Sequence, residues 1–158
     1  MSFLRKKDET CATLASLQAR VFQRSADEGI SSRSFVRAFM TDPLTQTLDS
    51  LDYLLSGLSS DDLFFAAAKR VPSDTRGNVL PGYILHWVGY IYRTACYLTG
   101  LTSKSIYRSV PLDYLTSVYP LYHGLDPVKA VQMILGDNNV DPMTPMERFE
   151  KLYRHKAG

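Results

Sequence analysis

Apolar residues in this chain recur three and four positions apart almost everywhere, a spacing that predicts helices and no convincing strand. From Thr10 to about Glu28, Leu14, Leu17 and Val21 form one stripe, and Ala12, Ala15, Ala19 and Phe22 form its neighbour. Gly29 supplies the left-handed residue that closes such a helix. A short helix from about Ser32 carries Phe35, Val36 and Phe39 and ends at Asp42-Pro43. Leu44, Leu48, Leu51 and Leu55 then fit one helix up to Gly57. Ser59 or Ser60 can cap the next, with Asp61 and Asp62 in its first turn, where acids offset the helix dipole.

Residues 71–82, VPSDTRGNVLPG, are the clearest loop. Two prolines and two glycines make it a candidate binding edge. Beyond it lies the most informative helix, about 81–99. Pro81 suits its first position. Ile84, Val88, Ile91, Ala95 and Leu98 form one stripe, and Tyr83, Trp87, Tyr90 and Tyr97 form a second. Two apolar stripes imply burial on most sides, hence a central position. Gly89 in the middle costs about 1 kcal/mol against Ala, and close approach of another helix would compensate.

Shorter helices follow at 103–109 and 113–119. Asp126-Pro127 reads as an N-cap and first-turn pair ahead of Val128, Val131, Ile134 and Leu135. Thr144-Pro145-Met146-Glu147 has capping-box spacing ahead of a last helix with Met146, Phe149, Leu152 and Tyr153 inward. The expected fold is therefore all-α: a single-domain bundle over 1–158, of about seven or eight helices around the central apolar one.

Composition narrows the function classes. The 158 residues carry a net charge of +2, spread along the chain without a basic half. No electrostatic footprint for nucleic acid or membrane stands out. The opening MSFLRKKDET has no apolar run behind it, and no stretch is long enough to span a bilayer. Cys11 and Cys96 lack metal or redox spacing. The expectation is a cytoplasmic protein with reduced thiols and no cofactor.

Catalytic and metal signals are weak. His86, His123 and His155 are scattered, which speaks against a metal site. GDNNVD at 136–141 starts like a calcium loop, but Pro142 and Arg148 stand where its Gly and Glu belong. Asp49 and Asp52, one turn apart, can be read as paired carboxylates, but more often such a pair is a solvated face or a partner for a nearby Arg. YPLYHGLDP reads as a buried loop with Asp126 as a helix cap; its functional alternative makes His123 an acid or base beside Asp126. Arg93, set among tyrosines on the central helix, needs a carboxylate or a ring face to offset desolvation. The expected internal partner is an acid such as Asp126, and the functional alternative is an anionic group or acidic side chain from outside. Arg93, Tyr90, Tyr122, His123 and Asp126 are thus the candidate polar cluster, and the central helix should touch the YHGLDP turn. Nothing in the sequence calls for an enzyme.

Residues 96–110 raise a second possibility. Small Cys96, Gly100 at a turn, and apolar Leu101 and Ile106 fit a helix-turn-helix. GLTSKSIYR resembles the turn and recognition helix of bacterial repressors, which would put Ser103, Lys104, Tyr107 and Arg108 on DNA. The competing reading is a structural corner, with Ile106 and Val110 packed on the central helix and Thr102 or Ser103 capping. The early stop at Pro111 and the apolar first helix favour the corner.

Three longer segments carry a family resemblance: FVRAFMTD at 35–42, WVGYIYRTACYLTGLTSKSIY at 87–107 and YPLYHGLDPVKAVQMIL at 119–135. They resemble a group of small all-helical bacterial proteins sharing W-x-G-Y-x-Y-R, S-K-x-I-Y and Y-H-x-L-D-P segments. The matching positions are Trp87, Gly89, Tyr90, Tyr92 and Arg93; Ser103, Lys104, Ile106 and Tyr107; and Tyr122, His123, Leu125, Asp126 and Pro127. Thr102 and Gly124 depart, standing where the group has Ser and Thr. Members often lie beside genes of toxin–antitoxin type, some for ADP-ribosyltransferase-like toxins. The resemblance implies an antitoxin-like or accessory protein whose partner is a toxin encoded nearby, and it brings no catalytic residues. A protein-binding module is the expected function, with self-association left open and the DNA-binding regulator as the alternative.

Overall fold

The computed structural model describes residues 2–50, 53–73, 77–142 and 150, without the side chains of 2–8, 54 and 55. The expected all-α architecture is the one found; every regular element among the described residues is helical. In chain order these are α1 (Ser2–Asp27), α2 (Ser32–Met40), a 3₁₀ turn (Pro43–Thr45), α3 (Gln46–Asp49), α4 (Tyr53–Ser56), α5 (Ser60–Ala68), α6 (Gly82–Thr99), α7 (Ser103–Ser109), α8 (Leu112–Tyr122) and α9 (Pro127–Asp137). The capping-box reading at 144–147 and its inward apolar residues lie outside the described residues, as does Asp52.

The dominant packing is α1 against α6, and α6 also meets α7, α8 and α9. Of its two apolar stripes the first faces the core, with Val88, Ile91, Ala95 and Leu98 buried and Ile84 half-buried, while on the second Tyr83 is exposed and Trp87, Tyr90 and Tyr97 are half-buried. Gly89 is where the two long helices come closest. A Cβ there would sit 3.0 Å from the Ala19 Cα, the Gln18 carbonyl and the Phe22 ring. That clearance explains a glycine in mid-helix. Phe22 is edge-on to Phe35 and Phe39, and Phe35 stacks on Phe39 and lies tilted to Phe64, at centroid separations of 5.1–6.3 Å. They seat α2 and α5 on α1.

Local signals set most boundaries. Gly29, Gly57 and Gly100 all have positive φ after helices, and Gly100 caps α6 at φ 71. Ser59 closes a reciprocal capping box with Asp62. Asp126 accepts from the Val128 and Lys129 N–H groups, with Pro127 opening α9.

Four boundaries differ from expectation. Helix α1 begins at Ser2 rather than Thr10, because residues 2–9 carry no apolar stripe to mark it. Pro81 is the cap of α6 and Gly82 its first residue. Helix α8 runs past 119 through Pro120, whose missing N–H removes one bond near the helix end. The single helix read from Leu44 to Leu55 is broken. Asp42 draws in the Leu44 N–H to start a 3₁₀ turn, and α3 stops at Asp49, whose carboxylate is held from elsewhere.

Candidate functional site

Helix α6 carries two groups of functional-looking residues, one closed and one open. The closed group centres on Arg93, 3% exposed. Its Nη1 meets Asp49 Oδ1 at 2.7 Å, its Nε donates to Gln18 Oε1 at 2.9 Å, and its Nη2 donates to Ser103 Oγ at 2.7 Å. Ser103 in turn donates its hydroxyl to Asp49 Oδ1 at 2.5 Å and its backbone N–H to Asp49 Oδ2 at 3.1 Å. Gln18 Nε2 donates to the Gly89 carbonyl at 3.0 Å, across the closest approach of α1 and α6. One guanidinium therefore joins α1, α3, α6 and α7.

The expectation that Arg93 is satisfied by an internal acid is met, but the acid is Asp49, not Asp126. Asp126 is exposed and spent on capping α9. Asp49 reaches Arg93 because α3 ends there and points its last side chain inward. Sequence reasoning missed Gln18. The one signal for it is a polar residue inside the α1 apolar stripe, one turn from both Leu14 and Val21.

Chemically the closed group is a crosslink. Among the described residues no enclosed side-chain nitrogen or oxygen is left without a partner. The Ser103–Asp49 bond does not make a nucleophile, since no histidine joins it and Ser103 itself is 1% exposed. Cys96 lies beside it, Sγ to Ser103 Oγ 3.9 Å. Burial is the main cause that pushes its thiol up to about 11, so it stays protonated.

The helix-turn-helix stretch folds as a corner. Thr102 Oγ1 accepts from Ser105 N–H, and Ile106 and Val110 join the core. Tyr107 is half-buried, its ring 6.3 Å from Tyr92. Of the four DNA candidates, Lys104 and Arg108 are exposed on one face, while Ser103 is withdrawn into the Arg93 crosslink.

The open group lies where α6 meets the end of α8. Trp87 stands edge-on to Tyr119 at 5.4 Å, Tyr83 lies tilted 5.8 Å from the same ring, and His123 stacks on it at 4.4 Å and 12°. Tyr83 is 63% exposed, His123 is exposed, and Trp87 and Tyr119 are half-buried. The YHGLDP turn is expected to be buried, and it is not: His123, Gly124 and Asp126 all face solvent. Pro120 and the cap at Asp126 hold the segment at the surface. Tyr119, three residues before this turn, is what meets α6, at Tyr83 and Trp87, and His123 stacks on Tyr119 rather than joining Arg93. Tyr90 is half-buried on α6 and takes no part in the Arg93 bonds.

Tyr122 turns away from His123. Its hydroxyl donates to Asp137 Oδ2 at 2.8 Å, and Tyr114 donates to the same oxygen at 2.5 Å. These bonds, Tyr114 first, hold the Asp137 carboxyl below its usual range. They clamp α8 to α9. Among the described residues no group of three or more His, Cys, Asp or Glu is placed to hold a metal ion. No helix there is long and apolar enough to cross a membrane. No family model, curated protein or solved structure matches this chain.

Proposed function

We propose that this chain is a protein-binding module that docks its partner on the aromatic ladder Tyr83–Trp87–Tyr119–His123. The observation carrying this reading is the contrast in satisfaction along α6. The polar atoms around Arg93 are closed, while Tyr83 and His123 present ring faces to solvent beside a half-buried Trp. Rings held rigid by one another lose little entropy on binding and are the residue types that dominate interface energies. On the family resemblance, the partner is a toxin encoded nearby and the role is antitoxin-like. The test is to co-express the full chain with the products of its flanking genes, co-purify, and titrate the complex. Tyr83→Ala and His123→Ala together should weaken it by at least about tenfold. A flanking product that binds with unchanged affinity would rule out the ladder, and no binding by any of them would rule out the partner class.

A second reading, a DNA-binding regulator, is favoured by one observation. Helix α2 packs against α7, and its exposed Arg33 and Arg37 add to Lys104 and Arg108. Such a surface would hold phosphates more than read bases, because Ser103 is withdrawn. A gel shift on the chain's own promoter region at physiological salt, with Lys104→Ala/Arg108→Ala as control, decides it. Sequence-selective binding abolished by the double substitution supports the regulator, and its absence removes it.

A further inference from the structure

A groove of about 480 Å³ opens where the start of α2, the segment 77–80 and the first half of α8 meet. The segment is pinned to the helix: Ser32 N–H donates to the Asn78 carbonyl at 3.2 Å, and Leu80 N–H donates to the Ser32 hydroxyl at 2.8 Å. The next two N–H groups of α2, on Arg33 and Ser34, have no acceptor among the described residues. The first turn holds no acid. The positive end of the α2 dipole thus borders the groove uncapped.

Ser31 adds an independent sign of a ligand. It occupies the N-cap position yet makes no capping bond, and among the described residues it has no other side-chain partner although it is only 8% exposed. No enclosed side-chain oxygen among the described residues lacks a partner, so this hydroxyl is one that opens onto the groove it lines. It rests against Gly77, where a Cβ would come within 2.6 Å of Ser31 Oγ. Gly77 leaves the space beside the hydroxyl clear.

We propose that this groove binds a small phosphate ester, its phosphate seated on the Arg33 and Ser34 N–H groups and the Ser31 hydroxyl. Helix N-termini take phosphate through this combination of donors and dipole. The Arg33 guanidinium can join them. Its bonds to Asp113, at 2.8 and 2.9 Å, lie between side chains 71% and 70% exposed, and such pairs stabilise little. Asp113 borders the same groove and repels the phosphate. The remaining space is lined by Asn78, Thr116 and Ser117 together with Leu80 and Leu112. This mixed lining matches a sugar, whose hydroxyls can meet the polar side chains while a C–H face rests on the leucines.

The inference is independent of the aromatic ladder. The test titrates the isotopically labelled full chain with inorganic phosphate and with glucose 6-phosphate, followed by amide NMR. Both should give saturable shifts at Arg33 and Ser34, with the sugar phosphate the tighter. Ser31→Ala and Gly77→Ala should each weaken binding roughly tenfold, and Asp113→Asn should tighten it. Gly77→Ala needs a rotation of the Ser31 hydroxyl and a small shift at its Cβ, which a new Cβ would meet at 3.3 Å, so the fold survives it. Shifts that do not saturate, that spread equally to Lys104, Arg108 and Lys129, or that ignore Ser31→Ala would overturn the site. Tighter binding of a phosphoserine peptide or of duplex DNA at the same amides would overturn the small-molecule assignment.

Discussion

Arg93 and Tyr83 stand on the same helix and differ in almost every respect that matters. Around Arg93, three hydrogen-bonded side chains from three other helices leave a charged group with no outward face. Around Tyr83, three aromatic rings lean on one another at the surface, and Tyr83 and His123 leave their faces to water. In a sequence, a charge amid apolar residues draws the eye as functional, and aromatic residues on a helix pass for core. Here the assignments exchange. Satisfaction of polar atoms, not residue type, separates architecture from a surface able to bind.

The largest effect should come from opening the closed group. Arg93→Ala leaves Asp49 nearly buried without its cation and should cost ~3–5 kcal/mol in urea denaturation. Asp49→Ala should be comparable, and the double variant should cost clearly less than the sum. Additive losses would mean that the two groups are not coupled, and the contrast with the ladder would fail. Gly89→Ala comes next. Its Cβ meets backbone atoms of α1 that cannot rotate aside, so overpacking of about 1–3 kcal/mol should outweigh the gain in helix propensity. A neutral or stabilising outcome would show that α1 and α6 are less tightly apposed than described.

Much of this is legible in the sequence, for definable reasons. Periodicity locates α6, and the cost of a mid-helix glycine points to a close helix crossing without naming the other helix. Caps at Ser59 and Asp126 and the turn at Gly100 are local chemistry, and local chemistry reads well. The partner of Arg93 does not read, because it lies 44 residues away on a helix of one turn whose register depends on that very contact. The exposure of His123 does not read either. A tyrosine-rich, proline-containing stretch has the same composition whether it packs inward or stacks on itself at the surface.

Acid pH should act on a smaller scale, through the α8–α9 clamp. Asp137 has a folded-state pKa depressed by Tyr114 and Tyr122, so its contribution is complete above the unfolded value of 3.8. It is lost as pH falls below that value towards the folded one. Tyr114→Phe/Tyr122→Phe should flatten the melting temperature between neutral pH and pH ~3 relative to the parent. An unchanged slope would show that the clamp does not sense Asp137. The smallest stability effect should be that of Tyr83→Ala. At 63% exposure it should shift stability by no more than about 0.5 kcal/mol while still weakening partner binding. A large destabilisation would make the ladder part of the core and dissolve the comparison.

The Arg93 crosslink also bears on how the chain reaches its native state. Gln18 and Asp49 lie before the 71–82 loop, and Arg93 and Ser103 lie after it. A nascent chain leaving the ribosome exposes the first pair well before the second exists. Until residue 103 emerges, α1 and α3 hold polar groups aimed at a partner that has not been made, so the amino-terminal half cannot lock by itself. The bond between residues 75 apart closes a long loop, and contacts of that range slow folding. Cutting the chain at the loop would likewise give two fragments, each with half of a salt bridge to bury. They should reassemble by complementation, and neither should fold alone.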